Sequence, residues 1–305
     1  MAAATELPYS KRPEWSDVSP VSQDDGPNPL VPIAYSADYR EAMDYFRAIS
    51  RTQEKSQRVL DLLRDIIEMN PAHYTVWQYR QDVVFGMGAD LNKELDFINE
   101  MAENQAKNYQ IWHYRQVIVD RLGDGSQELD FINAIIDEDS KNYHAWSYRQ
   151  WVISRFGLWD GEMQYTADLL VFDVRNNSAW NHRHFVLFSK PGSASQSDIQ
   201  DEIEFAKNKI QQAPNNPSPW NYLSGLLEAS KQPFMQVAPF LEDLRAKEIQ
   251  SPHLLSMMID MYEQDAKENS KPVDPMALEM CDHLADRIDV IRQKYWRYRK
   301  AQLPC

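Results

Sequence analysis

The chain has only two cysteines and nine glycines among 305 residues, and no long apolar run. Cys281 and Cys305 make neither a disulfide framework nor a zinc site. Without a stretch of about 18 apolar residues, nothing is expected to span a bilayer. The opening MAAATELPYSKRPEW has no apolar core of a secretory signal, so the chain is read as cytoplasmic. Positive charge is also short: 32 Lys and Arg stand against 46 Asp and Glu, a net charge of −14. That excludes a broad nucleic-acid surface and electrostatic docking on anionic membranes. The motifs GxxxxGK, HExxH and GxSxG are absent. Scarce glycine, no alternating β-branched run, and abundant Leu, Ile, Glu and Gln point to an all-α protein. What is present is 43% hydrophobic and 11% aromatic residues, enough to bury a core in one large domain or two ordinary ones.

Six of the 17 prolines fall in the first 32 residues, among Ser, Asp and Gly. Residues 1–32 are therefore read as a flexible, Pro-rich N-terminal arm. Residues 33–305 form a single helical-repeat domain in this reading, because tryptophan recurs at Trp77, Trp112, Trp146, Trp180 and Trp220. Arginine follows three residues later at Arg80, Arg115, Arg149 and Arg183, and the fifth unit has Leu223 there. An acid precedes each of the last four tryptophans by a constant interval, at Glu94, Glu128, Glu162 and Glu202. Each unit reads as two helices, the Trp helix first, stopped by Gly86, Gly123, Gly157 or Gly192. Asn70-Pro71 reads as a helix start. Segments 39–69, 240–266 and 276–300 also read as helical. A hairpin of this size cannot bury its apolar face alone, so the units should stack into a curved α/α superhelix, a TPR-like solenoid of about seven hairpins.

Each Trp is best explained as a filler between hairpins, and each WxxR arginine as a guanidinium paired with an acid or capping carbonyls. The slot five residues before each Trp is less ordinary. It holds Ala72, Lys107, Lys141, Arg175 and Asn215. A base at a helix N-terminus opposes the local partial charge. Such a row serves either salt bridges to a partner or an anion site, since free N–H groups there also favour anions. Beside it lie Tyr74, Tyr109 and Tyr143, and Thr75, Gln110 and His144. Exposed tyrosines of that kind are common at interfaces, or they pack on the next hairpin. His182 and His184 have poor metal-ligand spacing and read as structural.

The segments KNYQIWHYRQ (107–116), KNYHAWSYRQWVISRFGLWDGEMQY (141–165), DVRNNSAWNHRHFV (173–186) and YSADYREAMDYFRAI (35–49) closely resemble the α subunits shared by protein farnesyltransferase and protein geranylgeranyltransferase type I. The resemblance covers roughly residues 33–300. It implies a crescent of prenyltransferase α-subunit repeats around a β subunit that holds the zinc ligands and the isoprenoid pocket. Magnesium is a further candidate metal. No metal ligand is expected in this chain. The heterodimer would transfer farnesyl or geranylgeranyl from its diphosphate to the cysteine of a C-terminal CaaX sequence. By the same resemblance Lys107 is the catalytic lysine meeting the leaving diphosphate, with Tyr109 lining the same site. Gln110 bonds the terminal carboxylate of the peptide, and Tyr74 lies near its last residue. Asn142, Tyr143 and His144 match site-facing positions. The alternatives are a non-enzymatic helical-repeat scaffold for acidic partners and the α subunit of Rab geranylgeranyltransferase, which shares the architecture.

Overall fold

The computed structural model describes residues 7–192 and 194–304. Cys305 lies outside them. Among the described residues there are fifteen α-helices and no strand, as the scarcity of glycine and of β-branched alternation predicts. They divide into two compact units, Met1–Val152 and Ile153–Cys305, and the division falls inside one helix, α7.

The first unit holds α1 (Ala37–Thr52), α2 (Gln57–Met69), α3 (Tyr74–Met87), α4 (Leu91–Gln105), α5 (Tyr109–Leu122), α6 (Glu128–Glu138) and the start of α7 (Tyr143–Phe156). Helices pack most extensively as α2 on α3 and α4 on α5. The hairpin is thus a leading helix followed by the Trp helix, not the reverse order read from the sequence. The boundary between hairpins is glycine, but not always the expected one. α3 runs through Gly86 and stops at Gly88, whose φ of 64° is the left-handed cap. A Cβ at Gly86 would come within 2.4 Å of Lys55 Cδ, the end of a flexible side chain that can swing aside, so this position tolerates more than glycine. Gly123 caps α5 at φ 75°, as expected. Asn70 closes α2 rather than opening α3, and its amide reaches the Tyr39 hydroxyl at 2.9 Å.

Each repeat tryptophan of this unit is buried and donates its indole N–H to the carbonyl six residues earlier: Trp77 to Pro71, Trp112 to Ala106, Trp146 to Ser140. The ring also meets the next hairpin, Trp77 on Phe97 and Tyr114, and Trp112 on Phe131 and Tyr148. The WxxR arginines complete the seam. Arg80 on α3 makes a bidentate pair with Glu94 on α4 (2.5 and 2.9 Å), and the Tyr114 hydroxyl on α5 donates to the same carboxylate at 2.8 Å. Arg115, Glu128 and Tyr148 repeat the arrangement. One acid therefore joins three helices. Burial, and next the adjacent Glu94 charge, hold the Tyr114 phenol well above its ordinary range, so it remains a donor.

Part of the N-terminal arm packs on α1 and α2. Tyr9 and Trp15 are buried against Tyr45. Glu41 accepts from the backbone N–H of Tyr9 and Ser10, both at 3.1 Å, and Arg58 pairs with Asp17 at 2.6 Å. The two aromatics supply apolar area that composition by proline and serine conceals. Residues 22–34 are exposed.

The second unit continues with α8 (Glu162–Phe172), α9 (Asn177–Ser189), α10 (Gln196–Gln212), α11 (Pro217–Ala229), α12 (Ala238–Ala246), α13 (Pro252–Glu268), α14 (Pro275–His283) and α15 (Gln293–Gln302). α8 packs on α9 and α10 on α11. Arg183, Glu202 and Tyr222 form the third seam of the same kind. Leu223, which replaces arginine, is fully buried. Gly192 (φ 90°) lies beyond the end of α9 rather than at its cap. The segment 240–266 breaks in two because Ser251 caps α13 with Pro252 at its first position. His182 is buried with Nε2 2.6 Å from Glu162, a structural role as expected.

Candidate functional site

The site is assembled where α3, α5 and α7 begin. Asn108 caps α5: its Oδ1 accepts from the N–H of Gln110 (2.8 Å) and Ile111 (3.2 Å). Lys107 is consequently held just before the first turn, with its side chain 79% exposed. Asn142 caps α7 in the same way, accepting from His144 N–H at 2.9 Å and Ala145 N–H at 3.1 Å. Its own amide donates to the Ala106 carbonyl at 3.1 Å, one residue before Lys107. Asn142 is 3% exposed and has both ends of its amide engaged. The structure therefore moves it from the ligand-facing set to the scaffold: it fixes the start of α7 against the start of α5.

The three tyrosines of the repeat stay exposed. Tyr74, Tyr109 and Tyr143 are 75%, 67% and 69% exposed, so they do not pack under the next hairpin. Tyr74 and Gln110 line one cleft of about 390 Å³, together with Thr75, Gln78 and His113. Tyr109, Tyr143 and His144 line a second of about 230 Å³, with His113 and Gln116. Lys107 borders a third opening of about 470 Å³ with Ala106 and Asn108. The two residues expected at the diphosphate, Lys107 and Tyr109, thus line different openings, and only the clefts of Tyr109 and of Tyr74 with Gln110 share a wall, at His113.

His144 organises the second cleft. Its ring stands edge-on to Tyr109 at 4.3 Å, lies parallel to Trp112 at 6.4 Å, and bonds the Lys107 carbonyl. Burial lowers its pKa below 6.5, with the bond to that carbonyl opposing, so the ring is neutral at pH 7. The base at the helix N-terminus is answered from within the chain. Lys107 Nζ lies 3.1 Å from Asp139 Oδ2. The Lys107 ammonium, and next the Lys141 N–H, hold the Asp139 carboxyl below the usual carboxylate range. The Arg175 backbone N–H donates to Asp173 at 2.8 Å, the same turn in the second unit.

His113 was not singled out from the sequence, although it borders both clefts. A signal for it exists: the residue after each Trp is polar in every repeat, Gln78, His113, Ser147, Asn181 and Asn221. Among the described residues, no three His, Cys, Asp or Glu side chains gather as a metal ion requires. No described helix is long and apolar enough to cross a membrane.

Comparison with known proteins gives a consistent answer. The protein prenyltransferase alpha subunit repeat matches five stretches, residues 56–87, 91–122, 126–156, 159–189 and 199–230. These ranges carry the leading-helix-then-Trp-helix order found in the fold. The chain is 42% identical over 303 residues to the protein farnesyltransferase/geranylgeranyltransferase type-1 subunit alpha of Dictyostelium discoideum, covering 96% of this chain and 93% of the relative. It is 45% identical over 286 residues to the protein of the same name from Schizosaccharomyces pombe, covering 93% and 92%. Among solved structures, a chain of the Candida albicans protein geranylgeranyltransferase-I complexed with GGPP matches with a TM-score of 0.85 and 32% identity, over 94% of this chain and 97% of that one.

Proposed function

The chain belongs to the protein prenyltransferase alpha subunit family, and we propose that its site serves the reaction as follows. It is the α subunit of a farnesyltransferase/geranylgeranyltransferase type-1 enzyme acting on an isoprenoid diphosphate. The observation that carries this is similarity along nearly the whole chain to subunits of that name, with the KNYQIW segment intact at the start of α5.

The partner is a β subunit, and the acceptor is the thiol of a CaaX cysteine in a cytoplasmic protein. Transfer forms a carbon–sulfur bond, breaks the carbon–oxygen bond to the diphosphate, and releases the thiol proton. Negative charge grows on the leaving oxygen. The Lys107 ammonium at the N-terminus of α5 supplies opposite charge there, and the Tyr109 hydroxyl supplies a hydrogen-bond donor from the same turn. Gln110 and Tyr74, sharing one cleft, present an amide N–H and a hydroxyl to the peptide carboxylate. His144 and Tyr143 support that surface. Zinc would activate the thiol when bound. By the family resemblance its ligands belong to the β subunit; among the described residues of this chain no three His, Cys, Asp or Glu side chains gather.

The test is Lys107→Ala in the heterodimer. The account expects kcat to fall about a hundredfold, with the KM for the CaaX peptide changed little. Unchanged kcat would remove Lys107 from the mechanism.

A further inference from the structure

Asp139 stands one repeat beyond Lys107, as the C-terminal cap of α6. Both of its carboxylate oxygens are engaged. Oδ1 accepts the Lys141 N–H at 3.1 Å, and Oδ2 lies 3.1 Å from Lys107 Nζ. Its backbone is fixed as well: the N–H donates to the Ile135 carbonyl at 3.0 Å, and its carbonyl accepts from Asn142 N–H at 2.9 Å. Asn142 in turn bonds the Ala106 carbonyl at 3.1 Å, so the loop bearing the acid is bolted to the turn bearing the lysine. The Lys107 stem is four methylenes long and mostly exposed, so the free side chain samples many rotamers. A carboxylate fixed by the loop beside it biases the ammonium toward one side of the turn before any substrate arrives.

We propose that Asp139 is a positioning residue for Lys107: its carboxylate, fixed by the α6–α7 loop, presets the ammonium at the N-terminus of α5 where the leaving diphosphate is met. The proposal rests on the reading of Lys107 given above. It also fixes the sign of the effect on binding. A carboxylate that shares the ammonium weakens ground-state attraction for an anion, so removing it does not loosen diphosphate binding. The loss appears in turnover, where placement of the charge matters.

Asp139→Asn keeps a neutral acceptor for the Lys141 N–H and removes only the charge. In the heterodimer, we expect Asp139→Asn to lower kcat about three- to tenfold. The Kd for farnesyl or geranylgeranyl diphosphate stays the same or tightens. Asp139→Glu recovers part of the lost turnover. In the Lys107→Ala background, Asp139→Asn has no further effect. Thermal melting of each variant separates misfolding from misplacement, and Asp139→Glu carries the test if Asp139→Asn melts early. The proposal is overturned if Asp139→Asn leaves kcat unchanged or raises it. It is overturned equally if the variant weakens diphosphate binding, or if its loss is undiminished without Lys107. If Lys107→Ala alone leaves turnover unchanged, the reading of Lys107 itself has failed, and the proposal falls with it.

Discussion

At the scale of single residues, the sequence pointed to the slots but not to the job done in each. Lys107, Tyr109, Tyr74 and Tyr143 are exposed, as a ligand- or partner-facing surface requires. Asn142 is not, because the pattern KNY places one residue type, Asn, where a helix needs its cap. Capping asparagines also stand at Asn108, Asn176 and Asn216. Spacing alone cannot separate a cap from a contact. Asp139 was illegible for a different reason: its partner lies in another repeat, and only folding brings the two together. His144 allows a test at this scale. Burial lowers its folded pKa below the free value of 6.5, so below that value the unfolded chain binds more protons and stability falls as pH falls. His73 and His253 are lowered by burial as well and add to the slope. Urea unfolding between pH 7.5 and about 5 should therefore show a steady loss, and His144→Gln should reduce it. An unaltered slope in His144→Gln would contradict the burial argument.

At the scale of elements, the Trp period located every repeat, yet it left the hairpin frame undetermined. A helix pair read as Trp-first or Trp-second has the same periodicity. The choice is made by packing, with Glu94 receiving Arg80 from the preceding hairpin and Tyr114 from its own. The residue two after each Trp was the missed half of that signature: Tyr114, Tyr148 and Tyr222, with His182 in the fourth unit, while Tyr79 of the first bonds the Ile49 and Glu54 carbonyls instead. The break before α13 was open to reading, since Ser251-Pro252 carries the same cap-then-proline signal as Asn70-Pro71. The seam gives a stability prediction. Arg115 is bidentate to Glu128 (2.7 and 2.9 Å), bonds Asn99 at 2.7 Å, and lies 3.5 Å over the Phe131 ring. Arg115→Ala leaves a buried carboxylate with only Tyr148 for company, and should cost about 3–5 kcal/mol. Equilibrium unfolding checks it. A cost under about 1 kcal/mol, the range of an exposed pair, would show that the seam is not desolvated as described.

At the scale of the whole molecule, the net charge of −14 first served to exclude nucleic acid and anionic membranes. Against that background, Lys107 stands out as a base kept beside a helix N-terminus and already matched by an acid of its own chain. Such a pair suits an amine that must be aimed as well as charged. The all-helical repeat fold was legible from the tryptophan period, scarce glycine and abundant helix formers. The partner and the chemistry were not, and only the resemblance of the KNYQIW segments supplied them. The central claim is that this chain acts as the α half of a protein prenyltransferase. The most direct measurement is transfer of tritiated farnesyl or geranylgeranyl from its diphosphate to a CaaX peptide. It compares this chain alone, a β subunit alone, and the two co-expressed with zinc. The account predicts copurification of the pair and label transfer by the pair only. Failure of the chain to copurify with a farnesyltransferase or geranylgeranyltransferase type-1 β subunit, or a copurified pair that transfers no label, would contradict it.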